Sequence, residues 1–417
     1  MKLSKLGAKF TEESGILQLM HDLGDALAAG DDILMLGGGN PARIPEVEAI
    51  FTERLRRLLS GSDEMAKLLG SYDAPAGNRP FIEAMAALLR KHYGFEVGPE
   101  NVALTTGSQT SFFFLFNLLG GESEDGRHRK ILLPLTPEYI GYADTGIARD
   151  LFVSEKPEIE LLENNLFKYH VDFDAVRVSE DIAALCVSRP TNPTSNVLTE
   201  SELLRLSALA AKNKIPLIID NAYGPPFPNI IFTDAEPIWN ENIILTMSLS
   251  KLGLPGVRTG IVIANEMIIK AVSAMNAIVS LAPSSFGAVL AHDLVASGDV
   301  LELCRKKIRP FYERKSQQAL GWLRDAMKGL PYRVHKPEGT FFFWLWLENM
   351  PITSQELYER LKKRGVLVVP GHYFFPGLEE PWRHKQECLR VNYSQDDDVV
   401  RKGIAILAEE IQRAFSS

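Results

Sequence analysis

The segment from Met247 to Gly260 carries the side chains of this sequence that are best suited to covalent chemistry. It reads MSLSKLGLPGVRTG and follows an apolar run that predicts a buried strand. Lys251 could act as a nucleophile, while the serine hydroxyls, Arg258 and a glycine-rich backbone would suit a bound anion. The alternative is a basic surface turn without chemistry, and the segment alone is compatible with both.

Three more groups that could contact a ligand follow predicted strands in the first half of the chain. Ser108 comes after the apolar run 102–105 and opens a helix, where free N–H groups and the positive helix end suit a phosphate. A plain helix cap is the alternative for Ser108. Tyr139 and Tyr142 follow the next strand, and they could either stack on a planar ligand or pack in the core.

Polar residues also end the later predicted strands. Asn192 lies in RPTNPT, where two prolines would stiffen the loop that holds its amide, although an Asx-Pro turn is common in any protein. Asp220 ends the apolar run IPLIID; a carboxylate there is costly unless it is paired, and a cap or turn aspartate is the alternative. Arg390 lies in CLRVNYS, where a buried guanidinium would suit a carboxylate, and a surface arginine is the alternative.

Alternating strands and helices must position these residues. Helical periodicity between the strands, including residues 137–148, predicts a mainly parallel sheet covered on both faces, which is an α/β fold. Ligands of such sheets bind beyond the carboxyl ends of the strands, where these polar residues lie. The predicted strands are near residues 102–105, 131–135, 151–153, 183–187, 215–219, 243–246 and 260–264.

The pattern changes after a long helical segment at 300–328, in which Pro310 predicts a kink or a split. Two helices then accompany short strands near 332–335, 341–347, 366–369 and 389–392, which predicts a smaller α+β domain. We therefore expect an N-terminal arm and part of the small domain at 1–45, a large domain at 46–310 and a small C-terminal domain at 311–417.

Composition limits the class of protein. The chain has 417 residues, of which 46% are hydrophobic and 24% charged, with a formal charge of −8. This is an ordinary globular composition, and the acidic balance argues against nucleic-acid binding. Three distant cysteines and the lack of an HExxH pattern predict reduced thiols and no metal site. Apolar runs fall far short of the ~20 residues that span a bilayer, and the N-terminus has no apolar secretory core, so we expect a cytoplasmic protein without membrane contact.

Together these groups suit one cofactor, pyridoxal 5′-phosphate (PLP), which is planar and anionic and needs a lysine, a carboxylate partner and a phosphate site. The chain resembles, over nearly its whole length, the fold-type I PLP enzymes, and among them the class I and II aminotransferases. The resemblance implies a large domain with a mostly parallel seven-stranded sheet between helices, plus a smaller α+β domain. It is carried by SxSKxxGxxGxRxG at 248–260, Gly107-Ser108-Gln109, Asn192-Pro193, Asp220 with Tyr223, and Arg390.

The resemblance also implies a role for each residue. Lys251 would hold PLP covalently and move a proton at the substrate Cα, and Asp220 would keep the pyridine nitrogen protonated. Tyr223 and Asn192 would hydrogen-bond the phenolic oxygen, and Arg390, Gly39 and Asn192 would bind the substrate carboxylate. The expected cofactor contacts are Lys251, Gly107, Ser108, Gln109, Tyr139, Asn192, Asp220, Tyr223, Ser248, Ser250 and Arg258, with Tyr72 donated by the neighbouring subunit of a homodimer with shared active sites.

Five further segments narrow the expected substrates. GGGNPARIPE, TPEYIGYAD, SRPTNPT, DNAYGPPFP and PGHYFFPGLE resemble the branch of the family that moves the amino group of L-valine to pyruvate. The expected function is therefore transamination between a small neutral or branched-chain amino acid and a 2-oxo acid. Alternatives are an aminotransferase of another neutral or aromatic amino acid, or a PLP-dependent β-lyase. A loose dinucleotide pattern at 37–42 is a further alternative, although its prolines disfavour the helix that such a site needs.

Overall fold

Two β-sheets form the frame of the protein in a computed structural model, which describes residues 2–12, 14–29 and 33–416. The strands of this part of the chain are β1 (Leu34–Met35), β2 (Val102–Thr105), β3 (Gly121–Glu122), β4 (His128–Leu133), β5 (Phe152–Ser154), β6 (Pro157–Leu161), β7 (Leu166–Val171), β8 (Ile182–Ser188), β9 (Leu217–Asp220), β10 (Ile243–Ser248), β11 (Gly260–Ile263), β12 (Arg333–His335), β13 (Phe342–Trp346), β14 (Val366–Leu367), β15 (Val369–Pro370) and β16 (Cys388–Asn392).

The central sheet is mainly parallel, which confirms the predicted α/β fold. Its strand order is β2-β11-β10-β9-β8-β4-β3, with β5 paired to β4. Strands β5, β4, β8, β9 and β10 run parallel, whereas β11 is antiparallel to both of its neighbours. All seven predicted strands are present, and the short β3 adds an eighth. Every residue of β8, β9 and β10 is buried, as expected of strands covered on both faces.

The second sheet has the order β15-β16-β13-β12-β7-β6. The sequence pattern does not predict its hairpin β6–β7, which lies inside the segment expected to form the large domain. Strand β7 runs parallel to β12 and so joins this hairpin to the sheet expected for the smaller domain. Strands β1 and β14 form a separate parallel pair. The domain boundaries at residues 45 and 310 stay a prediction.

Helices pack against both sheets. The helices of the described residues are α1 (Lys5–Phe10), α2 (Gly15–Ala29), α3 (Pro45–Ser60), α4 (Ser62–Gly70), α5 (Arg79–Tyr93), α6 (Ser108–Leu119), α7 (Glu200–Lys212), α8 (Glu266–Ser280), α9 (Phe286–Ser297), α10 (Asp299–Leu303), α11 (Arg309–Ala326), α12 (Ser354–Lys362), α13 (His384–Glu387) and α14 (Asp397–Ser416). A candidate cap at Thr11 and the apolar periodicity after it predict a helix that ends near Gly30. This helix, α2, begins at Gly15, and Gly30 lies outside the described residues.

The long helical segment is split, as Pro310 predicts. One π-helical turn, Cys304–Ile308, separates α10 from α11, and Pro310 lies in the first turn of α11. Proline has no N–H for the carbonyl four residues earlier, and its ring collides with that carbonyl, so the chain widens just before it.

The predicted helix at 137–148 is wrong. Residues Ile140–Tyr142 form a single 3-10 turn, and turns or bends follow. Side-chain hydrogen bonds from distant parts of the chain hold this segment: Gln109 Nε2 donates to the Gly141 carbonyl at 2.9 Å, and Tyr142 reaches Asp220. Those tertiary bonds override the local helical pattern.

In the described residues, no helix combines the length and apolarity needed to cross a membrane. The cysteines Cys186, Cys304 and Cys388 are buried and free, which agrees with the expected thiols. Within the same residues, no cluster of three or more His, Cys, Asp or Glu side chains could hold a metal ion.

Candidate active site

The carboxyl ends of β8, β9 and β10 meet at one edge of the central sheet. Ser188 pairs in register with Asp220, and Asp220 with Thr246, so the residues that follow each strand converge. One pocket lies at this edge, and most of the predicted site residues line it. They are Gly39, Ser108, Gln109, Tyr139, Asn192, Asp220, Tyr223, Ser248, Ser250, Lys251, Arg258 and Arg390.

Lys251 lies at the centre of this pocket. It belongs to the 3-10 turn Ser250–Leu252 that follows β10, and its Nζ donates a hydrogen bond to the Gly39 carbonyl at 2.6 Å. Burial, with Arg390 and Arg258 nearby, lowers the pKa of Lys251 to about 7. A large fraction of the amine is therefore neutral near neutral pH, and a neutral amine is what a nucleophile or a base requires.

The carboxylate of Asp220 ends β9 and is buried but fully partnered. Tyr142 Oη donates to Oδ2 at 2.7 Å, and the Ala222 N–H donates to Oδ1 at 3.0 Å. Burial raises the pKa of Asp220 to about 6, although the two hydrogen bonds and the charge of Lys251 act to lower it. Asp220 is therefore largely ionised at neutral pH. Tyr142, considered as a stacking residue from its sequence position, is instead a buried partner of this carboxylate.

The residues predicted to bind phosphate form a cradle beside the start of α6. Gly107 adopts φ +85°, and a Cβ there would lie 2.3 Å from Arg258 Nη2, so only glycine leaves room for the guanidinium. Ser108 begins α6, and Ser248 Oγ donates to Ser250 Oγ at 2.9 Å. A helix start, paired hydroxyls and a close cation fit the phosphate of PLP.

Arg390 offers a donor for a carboxylate. Its side chain is fully buried; Nη1 donates to Asn192 Oδ1 at 2.8 Å and Nη2 to the Gly37 carbonyl at 2.6 Å. Nε is buried with no hydrogen-bond partner among the described residues, and the guanidinium lies 4.3 Å from the centre of the Phe342 ring. Burial lowers the pKa of Arg390 to about 10, so the group stays cationic at neutral pH. A buried cation with an unused donor fits the expected substrate carboxylate.

The glycine segment is held in an extended path by consecutive hydrogen bonds. The carbonyls of Gly38 and Asn40 accept from Asn392 Nδ2 at 2.5 Å and Ser394 Oγ at 2.8 Å, on either side of the Gly39 carbonyl that Lys251 contacts. No helix begins between Gly37 and Pro45, where α3 starts. The dinucleotide interpretation, which needs a helix directly after the glycines, is therefore wrong.

Aromatic and amide side chains complete the wall. Tyr139 packs edge-on against Tyr142 with ring centres 5.4 Å apart, and its pKa is raised by burial. Tyr223 is buried against Phe341, and Lys251 Nζ lies 5.5 Å from the centre of the Tyr223 ring. Both tyrosines thus border the space in front of Lys251.

Two predicted residues do not line the pocket. Gly107 lies behind it and acts through the space that it leaves for Arg258. Tyr72 is 84% exposed on the surface. Its expected contact with the site of a second subunit stays a prediction.

Several pocket residues are not among those predicted from the sequence. Ile16, Leu19 and Met20 of α2 line the pocket, as do Ser188 and Phe112. The N-terminal helix carries no signal beyond its apolar periodicity, and α2 is more than 200 residues from Lys251 in the chain. Ser188 could have been found from its position at the end of β8.

Attachment of PLP to the cofactor-free protein is expected to accelerate as pH rises through about 7. Only the neutral Lys251 amine can attack the aldehyde, and the neutral fraction grows above its pKa. Stopped-flow recording of the absorbance of the bound cofactor measures the rate. A rate that rises only near the ordinary lysine pKa of ~10.4 would contradict the lowered value.

Comparisons with known proteins identify relatives over nearly the whole chain. The family profile described as aminotransferase class I and II matches residues 52–407. A valine–pyruvate aminotransferase of Escherichia coli (strain K12) is 51% identical over 416 residues, covering 100% of this chain and 99% of that protein. A structure of valine-pyruvate aminotransferase from Salmonella typhimurium LT2 is 50% identical with a TM-score of 0.89, covering 97% of this chain and 100% of that one. A mutant aspartate aminotransferase of Thermus thermophilus, 21% identical with a TM-score of 0.79 over 98% of this chain and 100% of that one, shares the fold.

Proposed function

The chain belongs to the class I and II aminotransferases, and on this premise we propose that it transfers the amino group of L-valine to pyruvate, giving 3-methyl-2-oxobutanoate and L-alanine. Enzymes of this family depend on PLP, which is therefore the cofactor. The Escherichia coli relative that is 51% identical over the full chain is named for this reaction.

The composition of the pocket wall carries the proposal. Among the described lining residues, the cations are Lys251, Arg258 and Arg390. Each has a proposed partner, namely the cofactor aldehyde, the phosphate and the substrate α-carboxylate. No described cation is left for a second carboxylate, and Ile16 and Leu19 of α2 add an apolar wall. Such a pocket favours a neutral aliphatic side chain.

The side chains of this pocket can perform the transfer as follows. PLP, when bound, withdraws electrons from the substrate Cα and stabilises the charge left by its proton. Lys251, with a pKa of about 7, would accept that proton as a neutral amine and would return it to the carbon of the cofactor aldehyde, which lies on the other side of the amino nitrogen. Asp220 would keep the ring nitrogen protonated. Arg390 and Asn192 orient the carboxylate, which aligns the Cα–H bond for cleavage and thereby favours deprotonation over decarboxylation.

Half-transamination of the purified holoenzyme tests the function. Valine and alanine are expected to convert the bound cofactor to its amine form, and pyruvate and 3-methyl-2-oxobutanoate to restore it. Leucine, isoleucine, phenylalanine and aspartate form the comparison set, and aspartate is expected to react least. Release of ammonia or CO₂ without conversion of the cofactor would instead indicate a β-lyase or a decarboxylase. Faster conversion by an aromatic amino acid would reassign the substrate.

We also propose that two copies of the chain share their active sites. Tyr72 and Ile278 are exposed apolar residues, and the Ser285–Asp73 hydrogen bond of 2.6 Å joins the segments that carry them. A mixture of Tyr72→Ala and Lys251→Ala subunits is expected to regain activity, because one site of each mixed dimer would have both residues. Mixing without any gain, although mixed dimers form, would contradict the sharing of Tyr72.

Arg390→Lys is expected to raise KM for valine and for pyruvate alike by ~10–100-fold, with a smaller change in kcat. One ammonium cannot reproduce the guanidinium contacts with Asn192 and Gly37 while also binding a carboxylate, and a lost charged hydrogen bond costs about 1.5–3 kcal/mol. Steady-state kinetics in both directions measure it. Arg364→Lys, at an ion-paired arginine outside the pocket, is the control. An unchanged KM would remove Arg390 from carboxylate binding.

A further inference from the structure

Glu138 is a fully buried carboxyl group directly behind the pocket wall. It precedes Tyr139 in the chain, and its backbone N–H donates to the Phe374 carbonyl at 2.8 Å. Ser188 makes two hydrogen bonds to its side chain: the Ser188 N–H donates to Oε1 at 2.8 Å, and Ser188 Oγ is hydrogen-bonded to Oε2. Ser188 ends β8 and itself lines the pocket, so Glu138 contacts the site through this serine.

The surroundings of Glu138 disfavour a negative charge. Its side chain is 0% exposed, and the groups that act on its charge are Ser188, the Tyr139 N–H and Asp220, none of which is a cation. Asp220 is the register partner of Ser188 on the adjacent strand and is itself anionic. If Glu138 and Asp220 were both ionised, these two buried carboxylates would repel each other.

We propose that Glu138 is a positioning residue that stays protonated at neutral pH and donates a hydrogen bond from its carboxyl O–H to Ser188 Oγ. The Ser188 hydroxyl then directs its own hydrogen into the pocket as a donor, and Asp220 remains the ionised carboxylate at this edge of the sheet. The proton stays on Glu138 throughout, so the arrangement adds a fixed donor without adding charge.

The direction of the pKa shift supports this arrangement. Burial raises the pKa of Glu138 to about 8. The hydrogen bonds from Ser188 lower this pKa, and the repulsion from Asp220 raises it further. The titratable groups that face it are Asp220 on β9, Cys186 on β8 and Tyr142, and burial raises the pKa of each. Because the pKa of Glu138 lies above neutral pH, the acid form dominates at pH 7 and ionises as pH rises through about 8.

Infrared spectroscopy of the holoenzyme tests the proton directly, without turnover and hence independently of the proposed substrates. The difference spectrum of wild type minus Glu138→Gln is expected to show the carbonyl stretch of a carboxylic acid at neutral pH, and this band should vanish as pH rises through about 8. A difference spectrum that shows only carboxylate stretches at neutral pH overturns the proposal.

Ser188→Ala tests the link to the pocket. Once Glu138 ionises, the Ser188 hydroxyl can turn and donate to it, and this side-chain hydrogen bond lowers the pKa of Glu138. Ser188→Ala removes the hydroxyl but keeps the backbone N–H bond, so the loss of the acid band should shift to higher pH. An unmoved midpoint would mean that Ser188 is not the partner. If Glu138→Gln does not fold, the wild type and Ser188→Ala are sufficient for the test. An acid band that titrates near the expected pH in the wild type, and at a higher pH in Ser188→Ala, identifies Glu138 and Ser188 as the pair. Ser354→Ala, at a buried hydroxyl outside the pocket, should leave the midpoint unchanged.

The pH profile separates positioning from a structural role. Wild-type kcat/KM is expected to show an alkaline change near the pKa of Glu138, and Glu138→Gln, which mimics the neutral acid, should lack it. Persistence of the same alkaline change in a folded Glu138→Gln variant would show that the carboxyl does not act on the site.

Discussion

Lys251→Ala is expected to remove nearly all turnover, by about 10⁴-fold or more, and to abolish the absorbance of covalently bound PLP. The substitution deletes both the covalent attachment and the base, and a positioned base alone contributes about 10²–10⁴-fold. The lowered pKa of Lys251, caused first by burial, leaves much of its amine neutral at neutral pH, whereas an exposed lysine would be almost fully protonated. Steady-state rates with valine and pyruvate at saturating PLP measure the loss.

Lys315→Ala is the matched control, because Lys315 is also buried and hydrogen-bonded, to the Gln395 carbonyl and Asp397, but lies outside the pocket. It should lower stability and spare the absorbance of the bound cofactor. Added methylamine can be tested for partial rescue of Lys251→Ala. A variant that turns over with added PLP at the wild-type rate would show that another residue is the base.

Asp220→Asn is expected to retain covalently attached PLP and to lower kcat by about 10²–10³-fold, the loss that one preorganised electrostatic partner typically causes. The asparagine Oδ1 can still accept from the Ala222 N–H, and its Nδ2 can donate to Tyr142 Oη in place of the bond that Tyr142 now donates, so the local structure should persist. Its neutral side chain cannot hold a proton on the ring nitrogen. The proton-transfer step then becomes slow, so a larger kinetic isotope effect with Cα-deuterated valine is the accompanying sign.

Glu202→Gln provides the control for charge removal at a buried carboxylate. Glu202 caps α7 through Thr199 and accepts from the Val171 N–H, away from the pocket. It should leave the isotope effect unchanged. If Asp220→Asn kept the wild-type rate, the ring-nitrogen role would have to pass to a different group.

The residues at the strand ends could be predicted because both signals are local. A buried strand is visible as an apolar run of four to seven residues, as in β8, β9 and β10, and the polar residue after it is read directly. Parallel pairing then brings those ends to one edge, whatever the details of packing. Lys251, Asp220 and Asn192 therefore meet as expected.

Segments whose conformation depends on distant partners were not predictable in this way. The helix expected at 137–148 is absent because Glu138 and Tyr142 are bonded to Ser188 and Asp220 on other strands. Helix α2 is held beside the pocket by contacts such as the hydrogen bond that Tyr373 Oη donates to Gln18 Oε1 at 2.6 Å. These two residues are more than 350 positions apart in the chain. The sequence pattern within either segment gives no information about such long-range contacts.

The sequence by itself determined which chemical groups this protein has and where they lie relative to the strands: an amine at Lys251 after β10, a carboxylate at Asp220 at the end of β9 and a guanidinium at Arg390 within β16. The tertiary structure alone decided their states and surroundings. It lowers the pKa of Lys251 to about 7, leaves a buried Arg390 donor unused and places an apolar wall from α2 opposite them. Protonation and pocket shape depend on burial and on distances between charges, and these exist only once residues far apart in the chain have packed together.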